Sequence, residues 1–233
     1  ASYTVLGFVL LIVTLSAAQF LRLKPDHAML SPGVPENEPG EGIAADEVSN
    51  SLKEAVFLAR FWKIFGMYFC FGFCLMAIMV HIAPHAINIG KSAAIGAGLV
   101  SAIGVSSIAG KIIFGYVGDL IGSKKIYIAC FSIMLVSLLL PISVKVIMLL
   151  YVFAVMFGLA YGGNACAQSP LAAEMFGLKS HGAIMGALNI GFTGGATMGP
   201  FIAGLLFDIN GDYYTAFLVV AAFSFLGLTL AAF

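Results

Sequence analysis

Apolar runs long enough to cross a bilayer occupy most of this chain. A spanning helix needs ~20 predominantly apolar residues. Seven stretches meet that length, roughly 2–22, 57–82, 93–117, 126–144, 147–169, 181–206 and 213–233. The 233-residue chain is 61% hydrophobic and 9% charged, against about 25% charged residues in a soluble domain. The runs are continuous rather than alternating, which selects helices over a closed β-barrel. The expected fold is therefore all-α: a polytopic transmembrane helix bundle of seven spans, with the lipid bilayer as its surroundings. Formal net charge is zero, so nothing in the balance points to nucleic acid.

The polar residues divide the chain. Residues 1–23 read as one transmembrane helix. Bases follow it at Arg22 and Lys24 and none precede it, the reverse of a signal peptide. The chain starts on Ala1, and the helix reads as entered partway through a longer protein. Residues 24–56 hold Pro25, Pro32, Pro35 and Pro39 with Glu36, Glu38, Glu41, Asp46 and Glu47, the composition of a disordered linker. From Val48 to Arg60 it is expected to gather into a short surface helix. Residues 57–233 form a six-helix transmembrane domain with short loops. Placing 24–56, 118–125 and 170–180 on one side collects nine bases there: Arg22, Lys24, Lys53, Arg60, Lys63, Lys111, Lys124, Lys125 and Lys179. Two, Lys91 and Lys145, remain opposite. The richer side is expected to be cytoplasmic.

Residues 110–125 read Gly-Lys-Ile-Ile-Phe-Gly-Tyr-Val-Gly-Asp-Leu-Ile-Gly-Ser-Lys-Lys. One apolar segment ends there, the chain reverses within about eight residues, and the next begins at Ile126. A carboxylate at a membrane boundary is costly unless it faces water or a partner. Glycines allow close helix approach and chain reversal. The pattern Gly115, Asp119, Gly122, Lys124 and Lys125 closely resembles the signature loop of the major facilitator superfamily of secondary transporters, and all five positions match. That family has two six-helix halves joined by a cytoplasmic loop. The resemblance implies the C-terminal part of a twelve-helix protein, helices six to twelve, with an N-terminal half as its missing partner.

Within that family, Trp62, Tyr68, His81-Ile-Ala-Pro-His85 and Gly90 look like the monocarboxylate transporters and their oxalate–formate antiporter relatives. Residues 172–208, with Glu174, Gly177, Gly182, Gly186, Asn189, Gly199-Pro200 and Phe207-Asp208, look like bacterial members of the same group. The resemblance implies that Lys111, the base deep in this half, holds a substrate carboxylate; the plainer alternative is snorkelling to the surface to pair with Asp119 or Glu174. His81 and His85, one helical turn apart, are candidates for a coupling proton, against two interfacial histidines bonded to carbonyls or water. Asn164 and Asn189 are polar groups in apolar spans that either line the path or bond between helices. Gln168, beside Pro170, reads as structural. Gly115, Asp119, Gly122, Lys124, Lys125 and Glu174 form the expected gate, with a static ion pair as the alternative. Gly182 and Gly186, and Gly191, Gly195 and Gly199, recur every four residues as small surfaces for a neighbouring helix.

The expected function is secondary transport of a small organic anion, a monocarboxylate first, by alternating access coupled to protons or exchange, in the plasma (inner) membrane. The alternatives are a drug or other metabolite carrier of the same superfamily, or a non-transporting polytopic protein. No cofactor is expected. Cys70, Cys74, Cys130 and Cys166 lie in apolar runs and read as small hydrophobes rather than metal ligands. No enzyme is expected, since no His-Glu-x-x-His or paired intramembrane aspartate occurs. A retinal protein is not expected, because the last span lacks a lysine for a Schiff base.

Overall fold

The computed structural model describes residues 51–143 and 146–232, with Leu11, Leu15 and Ser16. Apart from these three, the expected first span and the linker up to residue 50 lie outside the described residues. The helices are α1 (Leu52–Val56), α2 (Ala59–Asn88), α3 (Ala93–Ile121), α4 (Ser123–Ser143), α5 (Ile147–Phe176), α6 (His181–Asn210) and α7 (Tyr214–Ala232). Helices α2 to α7 are each long and apolar enough to cross a membrane. Helix α1 lies in the stretch expected to gather before the first of them. Its Glu54 carboxylate reaches back 2.8 Å to accept from the Ser51 backbone N–H, closing a capping box.

The spans run longer than their apolar cores. A 30-residue helix is ~45 Å long, well beyond a hydrocarbon layer of ~30 Å. This shortens the connections. The reversal expected over about eight residues takes place at Gly122 alone, with Asp119 inside the end of α3 and the two lysines inside the start of α4. Gly122 has φ +89°, a conformation that only glycine adopts without strain, and its N–H closes the end of α3 on the Gly118 carbonyl. The same device, a positive-φ glycine, marks the exits of α2, α5 and α6.

Two helix pairs carry the closest packing, α2 with α6 and α3 with α5. Helix α4 lies against α5 and α7, and α7 against α2. This pattern maps onto itself when α2, α3 and α4 are exchanged for α5, α6 and α7, the arrangement of an internal three-helix repeat. The contact surfaces are glycine on backbone. A methyl group added at Gly72, Gly195 or Gly199 would overlap the carbonyls of Phe192, Phe69 or Phe73 across the α2–α6 seam. One added at Gly110, Gly158 or Gly162 would overlap Leu159, Ile103 or Ser107 across α3–α5. Without a hydrophobic drive between helices in lipid, such close approach supplies the dispersion contact that holds them. The rings of the α2 phenylalanines then fill the space toward α7: Phe73 stacks on Phe223 with centroids 4.0 Å apart. Helices α3 and α6 are the least buried spans, each with one face packed and one open.

Candidate functional site

The signature motif is divided between two places. Asp119, Gly115, Gly118 and Gly122 from α3 and its exit line a cleft of about 400 Å³ with Ser123, Pro170 and Glu174. Glu174 makes the defining contact: one carboxylate oxygen accepts from the Ser123 hydroxyl at 2.7 Å and from the Ser123 backbone N–H at 3.2 Å. The first N–H groups of a helix have no partner inside it, and a negative charge suits that end. Glu174, on the last turns of α5, thus fills for α4 the role of a capping side chain and fastens two helices together. Its observed partner is a serine rather than a base. Asp119 is exposed in the cleft. Lys125 is exposed, and Lys124 turns to a different cavity with Arg60 and Lys63.

Lys111 stands on the open face of α3, with Nζ 5.9 Å from the centre of the Tyr161 ring on α5. That distance is at the outer edge of a cation–π contact, so the ammonium is held near the α3–α5 seam while its donors stay free to face an anion. Gly162 and Gly110 explain the closeness: the backbone of α5 sits directly against α3 on either side of this lysine. On α6, Asn189 is exposed and shares an open groove with Thr193 and Thr197, one turn apart in succession. Gly186 opens onto the same groove, and neither it nor Gly182 has a neighbour to pack against. The expected small-residue stripe is therefore two surfaces: Gly191, Gly195 and Gly199 pack on α2, while Gly182 and Gly186 face open space.

Asn164 is fully buried, and among the described residues neither its amide nitrogen nor its oxygen has a hydrogen-bond partner. Gln168, one turn on, has an unpartnered Nε2, but its backbone carbonyl accepts from the Tyr68 hydroxyl of α2 at 2.6 Å. Tyr68 stacks on Tyr127 of α4, whose buried hydroxyl is also unpartnered. These groups form a polar knot among α2, α4 and α5.

The two histidines occupy unlike environments. His81 Nε2 lies 3.0 Å from the Pro200 carbonyl and Nδ1 lies 3.3 Å from the Tyr213 hydroxyl. A carbonyl only accepts, so Nε2 carries the proton and Nδ1 accepts from the phenol. His85 is buried with both ring nitrogens unpartnered among the described residues, edge-on to Phe217 at 4.8 Å between centroids and to Tyr213 at 5.7 Å. Sequence reasoning singled out neither Ser123, nor Tyr161, nor Tyr213. Each is a partner supplied by a distant segment, and no local pattern announces it.

Comparison with known proteins agrees with this architecture. The family model described as Major Facilitator Superfamily matches residues 64–233. Monocarboxylate transporter 12 of Xenopus laevis is 32% identical over 145 residues, 60% of this chain and 31% of that protein. Monocarboxylate transporter 10 of Homo sapiens is 35% identical over 120 residues, 49% of this chain and 23% of that protein. An uncharacterized MFS-type transporter of Bacillus subtilis (strain 168), YcxA, is 27% identical over 248 residues, 98% of this chain and 54% of that protein. The aligned parts thus span between a quarter and about half of these relatives' length. With six antiparallel spans, an internal three-helix repeat and the signature motif at the turn between α3 and α4, the chain belongs to the major facilitator superfamily.

Proposed function

We propose that the chain is the C-terminal half of a secondary carrier for small organic anions, a monocarboxylate first among them. The observation that carries this reading is Lys111, a base on the open face of a mid-bundle helix, steadied by an aromatic ring rather than neutralised by an acid. A cation on an open face inside the bundle gains most by meeting a carboxylate. The relatives named monocarboxylate transporters support the same class of substrate. In the whole carrier, the missing half would cover the open faces of α3 and α6, so that Lys111 and the Asn189 groove face one central path.

The end of the bundle carrying the motif is assigned to the cytoplasm of the plasma membrane, because Lys53, Arg60, Lys63, Lys124, Lys125 and Lys179 gather there. Alternating access would rock one half against the other. The Glu174–Ser123 tie keeps α5 and α4 moving as one body, while Asp119, left in an open cleft, is the acid available to bind across the gate. Transport is coupled to protons or to exchange. For protons, His81 is the better candidate of the pair. A second proton on its Nδ1 requires only that the Tyr213 hydroxyl turn from donor to acceptor.

Counterflow in proteoliposomes of the full carrier, using radiolabelled lactate, oxalate and a neutral drug, tests the substrate class. The two anions are expected to exchange and the drug not. Uptake confined to the drug would overturn the reading in favour of a carrier of another class. A pH profile of uptake that is the same in wild type and a His81→Gln, His85→Gln double variant would remove the histidines from coupling.

A further inference from the structure

At the motif-bearing end, a second cavity lies outside the path just described. It opens between α2, α4, α5 and α7 and has a volume of about 80 Å³, open to the surroundings at its rim. Its rim carries three bases, Arg60 and Lys63 from the start of α2 and Lys124 from the first turn of α4, and among the described residues no acid lines it. Its wall is apolar, built from residues such as Met67, Leu171 and Leu230. Arg60 is half set into place already: its guanidinium lies 5.4 Å from the Phe176 ring centre, and its buried Nε has no hydrogen-bond partner among the described residues.

We infer that this cavity is a binding site for an anionic phospholipid, with the headgroup phosphate on Arg60, Lys63 and Lys124 and an acyl chain along the wall below. The dimensions follow the bilayer. Met67 lies two turns beneath Arg60, ~10 Å along the helix, the descent from headgroup to hydrocarbon. A free inorganic anion would satisfy the bases but leave the apolar wall uncovered. A zwitterionic lipid would bring its own cation against three others. Basic pockets between spanning helices suit anionic headgroups for the same reason. The charge that favours anionic lipid here is spent at the bundle's outer edge, away from the Lys111 face.

The test uses the purified full carrier, delipidated in a nonionic detergent and titrated separately with phosphatidylglycerol, phosphatidylcholine and inorganic phosphate. Phosphatidylglycerol is expected to raise the melting temperature by about 3–5 °C and to remain bound in native mass spectra. Phosphatidylcholine and phosphate are expected to do neither. Neutralising the rim by Arg60→Gln, Lys63→Gln and Lys124→Gln together removes the effect, whereas Lys91→Gln at the opposite end keeps it. Equal shifts with the two lipids, an equal shift with phosphate alone, or a neutralised rim that still retains phosphatidylglycerol would each overturn the proposal. Should the triple variant not fold, the lipid comparison on the wild-type protein decides alone.

Discussion

The α2–α6 and α3–α5 pairs are built on one plan and differ in what they expose. Both seams are glycine against backbone carbonyl, with a few side-chain ties. In α2–α6 His81 reaches the Pro200 carbonyl at 3.0 Å and the Tyr68 hydroxyl lies 3.9 Å from Met185 Sδ; in α3–α5 the Ser106 hydroxyl, bonded at 2.7 Å to Ala102 in its own helix, lies 3.4 Å from the Ala154 carbonyl. The open faces are unlike. That of α3 carries full charges, Lys111 and Asp119, and that of α6 carries an amide and hydroxyls, Asn189, Thr193 and Thr197. The seams are interchangeable solutions to packing in lipid, whereas the open faces differ, charged on one repeat and neutral polar on the other. A symmetric scaffold thus yields an asymmetric site.

The first way to break the comparison is to fill a seam. Gly195→Leu would drive a side chain into the Phe69 backbone, which cannot retreat. The expected cost is about 3 kcal/mol, read as a large fall in melting temperature and in folded yield. Gly186→Ala, on the same helix but in open space, should instead raise stability by about 0.5–1 kcal/mol through helix propensity. A similar loss from both would mean that the open face of α6 is covered in the folded protein. The second way concerns the faces. Lys111→Gln is expected to lower anion uptake about 10- to 100-fold, the loss of one charge-assisted contact, with normal insertion. Asn189→Ala, which removes a neutral donor, is expected to cost only about 3- to 10-fold. Equal effects would erase the distinction between the two repeats.

The sequence announces the seams and faces to different degrees, for physical reasons. Continuous apolar runs give the six described spans because lipid permits no other backbone arrangement for them. The motif gives the turn between α3 and α4, yet not its length: apolarity stops at the membrane surface, while the hydrogen-bonded helix continues to Gly122. Glycine spacing marks a stripe on α6 but cannot say which part of it is packed, since Gly182 and Gly199 differ only in having a partner. Sequence ranks Asn164 and Asn189 alike as polar residues in apolar spans. Burial separates them, and burial depends on which helices lie opposite. The ties are the least legible. Glu174 to Ser123 spans 51 positions and His81 to Tyr213 spans 132, and each uses residue types that occur throughout the chain.

The tie at His81 offers the smallest effect and the finest discrimination. Tyr213, at the turn between α6 and α7, donates to His81 and is held above the usual phenol range by burial, with the nearby charge of Asp208 adding to it. A group whose pKa is raised on folding favours the folded state while it stays protonated. That contribution is full below the unfolded value, about 10, and is lost as pH rises through the folded one. Tyr213→Phe should therefore cost about 1 kcal/mol at neutral pH, and its deficit relative to wild type should shrink as melting is followed above about pH 10. Ser106→Ala, cutting the corresponding tie in α3–α5, removes a hydroxyl that does not titrate, so its deficit should stay constant over the same range. If the Tyr213→Phe deficit also stays constant, burial and Asp208 do not hold the phenol above its unfolded range.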